Sequence, residues 1–448
     1  MISTNPYKGT KDFYPEDQAI QNFIFDGWRY VCESHGFLEY QTPIIENAEI
    51  YRAKSGEDVG NKELFTFSDL AERDLALRPE MTPSVTRMVS AKFKEMSKPI
   101  KLFSIGTFYR NEKPQKGRNR EFWQLNADIF GDETIYSDIE IINLSLNIMK
   151  YFKAPKESFM ININHRKLIN SFLDSLKIDN SEKIQIIRII DKFEKIPESY
   201  FKEEILKITT EDNYNQINKF LKSSFSELET LFPNLKEDLG YKNLQEILQI
   251  LKRMNLNQNV NFKSNLVRGF DYYDGLVFEV NDQNQDNPRS LFGGGRYNGL
   301  ADIFGGQNFP AIGFAPGNET FRIFLENWNL LPAKEKLLKK KKIYVFAIHN
   351  HSNEENSNLL QEQAFMVSNE IRNLIKNTLV DLALNPKTTS AGLDYASKKS
   401  FDYCIIIGED EIKDGTVTIK KLSDASQFTL SLHNLIDYLK KNSAHEID

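Results

Sequence analysis

The chain has 448 residues, 40% of them apolar and 12% aromatic, enough for two or three domains with real cores. Its formal charge of −6 does not mark a nucleic-acid binder, so any such contact has to come from local patches. The 2 cysteines, Cys32 and Cys404, stand far apart in apolar settings, which excludes a disulfide framework or a cysteine zinc site and points to a reducing, cytoplasmic location. The 6 histidines are scattered; His349 and His351 are the close pair and have no third ligand nearby, so no protein metal site is expected. No stretch reaches membrane-spanning length and the first residues lack the pattern of a secretory signal, so no membrane partner is expected.

Residues 1–15 read as a polar arm. Ile20, Phe23, Ile24 and Val31 then recur at helical spacing up to the stop signal His35-Gly36. Phe37–Ile45 reads as a strand interrupted by Pro43, which belongs at an edge or at an interface with another subunit. Leu64–Leu77 reads as a hairpin around Asp69–Arg73, and Pro83 starts a helix through Val85, Met88 and Val89. The organising stretch is Leu102–Gly131. An alternating strand (Phe103, Ile105, Thr107, Tyr109) enters a cationic loop (Lys113, Lys116, Arg118, Arg120) and returns as the run Phe122–Phe130.

An amphipathic helix follows at Ile139–Phe152 and a strand at Phe159–Ile163. Residues 166–260, nearly free of glycine and with Leu244, Ile247, Leu248 and Leu251 at helical spacing, read as a helical insertion. Strand character returns at Asn265–Val280, before LFGGGRYNGL (291–300) and PAIGFAPGNETFRIFLE (310–326). A linker is read at 331–342, including the charged run Ala333–Lys342. Short apolar strands at Ile343–Ile348, Tyr403–Ile407 and Thr416–Leu422, with a helix around Glu362–Leu374, predict a small α/β domain over 343–448.

Polar residues that no core needs gather in four segments. Arg78-Pro-Glu80-Met-Thr82 precedes a helix, and Glu80 is either a solvated carboxylate or an acceptor for an ammonium group. Gln124, Asn126 and Asp128 alternate opposite Leu125, Ala127 and Ile129, so they share one wet or ligand-lined face of a strand. Arg110 and Glu112 leave the first strand of the hairpin while Phe122 begins the second, a set that offers a guanidinium for phosphate and an aromatic face for a base. Arg268, Asp271, Tyr272 and Tyr273 lie on or beside another strand, and Gly293-Gly-Gly-Arg296-Tyr297 lets backbone approach something closely.

Taken together, these segments resemble the histidyl-tRNA synthetases, class II aminoacyl-tRNA synthetases, over almost the full length. The helix before Gly36 and the strand with Pro43 resemble motif 1, a dimer interface in the family, and 102–131 resembles motif 2. RPEMT (78–82), LVRGFDYY (266–273) and LFGGGRYNGL (291–300) resemble its histidine-specific segments. The resemblance implies an α+β catalytic domain with an antiparallel sheet over 1–330, the helical insertion 166–260 within it, and an anticodon-binding domain over 343–448. It implies an enzyme that activates L-histidine with ATP and Mg²⁺ and transfers it to tRNA(His), working as a homodimer. By the same resemblance Arg110 and Arg268 are catalytic and bracket the α-phosphate. Arg110, Glu112, Arg118 and Phe122 bind ATP, while Glu80, Thr82, Gln124, Asp128, Arg268, Tyr272 and Tyr273 bind histidine.

The chain departs from the family pattern in two places. Motif 3 ends in Glu-Arg in the class, but here Glu319 is followed by Thr320, leaving Arg322 or an arginine elsewhere to lie against ATP. Asp128 stands where the family usually carries glutamate. Two other readings compete. One is a non-catalytic histidine sensor resembling the regulatory subunit of ATP phosphoribosyltransferase, opposed by the extra C-terminal domain and by Arg110, Glu80 and Arg268. The other is a threonyl or prolyl enzyme, opposed by LVRGFDYY and GGGRYNGL.

Overall fold

The computed structural model describes residues 2–53, 63–267, 272–284, 290–305, 307–333, 337, 341–349 and 354–443. The chain divides into two units, Met1–Pro332 and Ala333–Asp448. Half of the expected linker (334–336 and 338–340) and His351 lie outside the described residues.

In the first unit α1 (Pro15–Ser34) begins with proline and carries Glu16 and Asp17 in its first turn, where acidic charge suits the exposed amides. It stops at His35, and Gly36 takes a φ of +77°. Ile20, Ile24, Trp28 and Val31 form its buried stripe. The stretch 37–45 is not one strand. Leu38–Glu39 (β1) joins the edge of one sheet and Ile45–Asn47 (β2) joins another, with Pro43 in the gap where no ladder needs its missing N–H. β2 pairs with β4 (Asp74–Leu77), which pairs with β3 (Phe65–Ser68). Asp69 closes the β3–β4 turn by accepting from the Ala71 and Arg73 amides. A short helix α2 (Glu49–Arg52) lies between β2 and β3 in sequence, and α3 (Thr82–Lys92) follows β4.

The large sheet is built on β5 (Ile100–Tyr109) and β6 (Glu121–Phe130), an antiparallel hairpin in continuous register from Ile100↔Phe130 to Tyr109↔Glu121. β7 (Phe159–His165), β8 (Val260–Phe262), β9 (Leu276–Asp282), β10 (Ser290–Arg296) and β11 (Ala311–Phe314) complete the order β1-β5-β6-β11-β10-β9-β7-β8. It is antiparallel except for the parallel pairs β1–β5 and β7–β8 at its two ends. The expected strand from Asn265 is shorter than read: β9 starts at Leu276, and Tyr272 and Tyr273 precede it. One face of β6 is dry, with Leu125, Ala127 and Ile129 fully buried. α4 (Ile135–Tyr151) runs beside α1, where Gly27 meets Tyr151 and Phe152 closely. Trp28, Phe152 and Phe321 pack edge to face there, the last from α11 (Asn318–Asn327).

Between β7 and β8 the chain is helical, in six α-helices, α5 (Arg166–Ser175) through α10 (Leu239–Arg253). The last of them buries Leu244, Ile247 and Leu251, three of the four residues whose spacing marked it. The second unit holds a five-stranded sheet ordered Thr378–Leu382, Lys341–Ala347, Tyr403–Ile407, Thr416–Lys421, Gln427–Ser431. Its first three strands are parallel and its last two antiparallel. Helix Glu354–Leu374 and helix Leu432–Ser443 pack on Ile343, Val345, Ile405 and Ile407.

Candidate active site

The segment before α3 is held by a buried arginine. Arg78 is 2% exposed, and its guanidinium donates to the carbonyls of Thr107 and Thr42 and to the Thr42 hydroxyl. The guanidinium also lies 4.8 Å from the Phe108 ring centre. A cation so deep is tolerable because every bond it makes ends on a fixed oxygen. It pins Pro79, Glu80 and Thr82 against β5 and thereby sets the floor of a cavity.

That cavity, about 160 Å³, is lined by Glu80, Thr82, Arg110, Gln124, Asn126, Asp128, Tyr272, Tyr273, Gly293, Tyr297, Gly313, Phe314 and Ala315. Most side chains expected at a histidine site thus meet in one place, from segments distant in sequence. A concave site with a few convergent polar groups suits a small polar ligand.

The cavity carries two carboxylates, each tied to a tyrosine. Tyr272 donates from Oη to Glu80 Oε2 at 3.0 Å, and the Thr82 hydroxyl also bonds Tyr272. Tyr297 donates from Oη to Asp128 Oδ1 at 2.6 Å. Burial pushes the Asp128 carboxyl up to about 7, against the opposing pull of the Tyr297 hydrogen bond. Burial first, then the negative charge of Asp128, lifts Tyr297 well above the usual phenol range, so Tyr297 remains a donor. Asp128 lies directly over Gly313 of β11. A Cβ built at 313 would sit 1.8 Å from Asp128 Oδ1, so only glycine leaves room for this carboxylate. Gln124 donates to the Ala315 carbonyl at 3.4 Å, which fixes its amide near the chain turn into α11.

Arg110 bridges this cavity to the hairpin tip. Its Nε donates to the Pro79 carbonyl at 3.0 Å and its guanidinium lies 5.2 Å from the Phe122 ring centre. Glu112 is paired with Arg118 at 3.7 Å, and Arg118 is mostly exposed. Glu112, Arg118 and Phe122 are thus placed beside the cavity rather than in it. Arg268 and Asp271 lie outside the described residues. Arg322 pairs with Glu319 at 3.1 Å and with Glu326, on α11 and away from the cavity lining. Thr320 spends its hydroxyl on the carbonyls of Leu291 and Gly317.

Tyr297, Phe314 and Ala315 were not singled out as ligand contacts from sequence. The signal for Tyr297 was its place after the glycine run, where a close-packed strand delivers the next side chain into the sheet's wet face.

A mostly antiparallel sheet that carries a polar cavity and a cationic hairpin on one face has the class II aminoacyl-tRNA synthetase fold. A solved histidyl-tRNA synthetase from Nostoc sp. PCC 7120 superposes with a TM-score of 0.77 at 22% identity, covering 99% of this chain and 100% of that one. A family model described as histidyl-tRNA synthetase matches residues 9–320, and one described as an anticodon binding domain matches 342–442. Histidine–tRNA ligase of Leptospira biflexa is 36% identical over 98% of both chains. That of Thermoplasma volcanium is 32% identical over 98% of this chain and 99% of its own. The chain belongs to the histidyl-tRNA synthetase family.

Proposed function

We propose that the chain is a histidine–tRNA ligase, activating L-histidine with ATP to the adenylate and passing it to the 3′ end of tRNA(His). The observation that carries this is the pairing of two buried carboxylates, Glu80 and Asp128, at the cavity with Arg110. Glu80, with Thr82 and Gln124, takes the ammonium. Asp128, with Tyr272 and Tyr273, takes the imidazole, whose N–H needs an acceptor that an apolar pocket lacks. The histidine carboxylate is then left facing Arg110.

In this reading the carboxylate attacks the α-phosphorus of ATP in line and pyrophosphate leaves. The protein mainly positions the groups and neutralises charge. Arg110 and Arg268 bracket the α-phosphate, Phe122 stacks on adenine, Glu112 holds the adenosine end and Arg118 reaches the outer phosphates. A ribose hydroxyl of the tRNA next attacks the adenylate carbonyl and AMP leaves. Magnesium is taken to enter with ATP, held by phosphate oxygens and water, as such ions commonly are. When bound with ATP it supplies neutralisation of the β- and γ-phosphates.

The second unit is assigned to the tRNA anticodon on its family match. A homodimer through α1 and the Pro43 segment is supported by the exposure of Tyr30, Leu38, Ile44 and Ile45 there. No described helix is long and apolar enough to cross a membrane, and we assign the protein to the cytoplasm.

Histidine-dependent ATP–pyrophosphate exchange, with threonine and proline as controls, tests the first step, and tRNA charging tests the second. Exchange with histidine alone is expected. A folded protein that binds histidine without exchange would instead be a sensor.

A further inference from the structure

Asn126, one of the cavity's polar side chains, carries a group that nothing in the fold accounts for. It is 4% exposed, it lines the cavity, and its Nδ2 has no hydrogen-bond partner among the described residues. A buried donor left unsatisfied is destabilising, and folded proteins rarely keep one without use. Directly opposite in the β5–β6 register stands Ser104, fully buried, whose Oγ is also without a partner. Beyond Ser104 lies Tyr40, whose N–H donates to the Phe103 carbonyl and whose buried Oη again has none. Strands β5 and β6, with the residue that follows β1, thus present one row of unpaired polar groups at the level of Asn126. Asn126 alone of the three reaches the cavity wall.

Two residues along the same face, Asp128 already has Tyr297, and as a carboxylate it can only accept. A neutral imidazole carries one N–H and one bare nitrogen. Asp128 suits the first; the second needs a donor, and the Asn126 amide can only meet that need with its NH₂.

We propose that Asn126 is a specificity-determining residue that donates from Nδ2 to the unprotonated ring nitrogen of the bound amino acid. The pair Asn126 and Asp128 then reads the neutral tautomer of histidine, donor to acceptor and acceptor to donor. This rests on the histidine reading of the cavity. It also gives the ligand a fixed ring orientation, since turning the ring over sets N–H against NH₂.

The test is pyrophosphate exchange by the full-length protein with histidine and with the two pyrrolylalanine isomers, each of which keeps a ring N–H and lacks the second nitrogen. Wild type should reject both by at least about tenfold in kcat/KM beyond the rejection shown by Asn126→Leu, whose KM for histidine should rise about tenfold. Asn126→Asp reverses the donor. Its KM for histidine should be high at neutral pH and recover as the pH falls below the imidazole pKa, whereas wild type should weaken over that range. Histidine KM and analogue rejection unchanged in Asn126→Leu would overturn the assignment while leaving the ligase reading intact. If the leucine variant does not fold, the pH profile of Asn126→Asp decides, and a profile parallel to wild type overturns it. Absence of histidine-dependent exchange in wild type would sink the ligase reading and this inference together.

Discussion

Replacing Asp128 with asparagine should stabilise the protein at alkaline pH and weaken its hold on histidine. Burial lifts this carboxyl from 3.8 to about 7. Its folded pKa lies above the unfolded one, so the folded state binds the proton more tightly. The contribution is whole below the unfolded value and is lost as pH rises through about 7. At ~1.36 kcal/mol per pKa unit, the loss between about pH 5 and about pH 8.5 integrates to ~3 kcal/mol.

His165 slopes the other way. Burial lowers it to about 4, so its contribution is present above the ordinary histidine pKa and lost as pH falls through about 4. The wild-type profile alone therefore mixes opposite trends, and the difference between variant and wild type isolates Asp128. Urea unfolding at the two pH values should show Asp128→Asn gaining ~3 kcal/mol relative to wild type from the lower to the higher. The same variant should bind histidine about tenfold more weakly, the difference between a charge-assisted and a neutral hydrogen bond. An equal stability difference at both pH values would refute the burial argument. Unaltered histidine binding would refute the placement of the imidazole.

Arg110→Ala should lower adenylate formation at saturating histidine by roughly 10²–10³-fold in pyrophosphate exchange, by analogy with loss of a preorganised oxyanion donor. Arg268→Ala should nearly abolish exchange with the thermal unfolding transition unmoved; normal activity would remove it from the phosphate site. Gly313→Ala must push Asp128 aside, since the new Cβ falls 1.8 Å from its Oδ1. It should raise the KM for histidine more than that for ATP, in steady-state exchange. Thr320→Ala loses hydrogen bonds to two carbonyls. It should cost about 1 kcal/mol of stability in urea unfolding and leave exchange within a few-fold.

The ligand-bearing face of β6 was legible because side chains in a strand alternate: once Leu125, Ala127 and Ile129 are taken as core, Gln124, Asn126 and Asp128 have one place to go. α1, α3 and α4 announced themselves through helical spacing and, for α3, a proline near the start. What could not be read was pairing across the sheet. Tyr297 meets Asp128 only because β10 and β6 lie either side of β11. Local pattern carries no information about that neighbourhood. The strand 37–45 was misread because proline and an apolar run say that a ladder is interrupted, not that the two pieces belong to different sheets. In the second unit, Thr378–Leu382 and Gln427–Ser431 escaped notice as edge strands whose outward residues leave no continuous apolar run.

Strand β11 occupies the middle of the large sheet, yet it is the last of that sheet's strands in the chain. On a ribosome, β1-β5-β6 and β10-β9-β7-β8 can each assemble before it emerges. Two long open edges then wait, on β6 and β10, each a template for pairing with a neighbouring nascent chain. Gly313 and Phe314 close the seam and complete the cavity in the same event, so a chain released before residue 314 has neither a sealed sheet nor an amino-acid site. Competence to bind the small ligand is therefore a late step of synthesis, and slow translation near 300 would lengthen exposure of the seam.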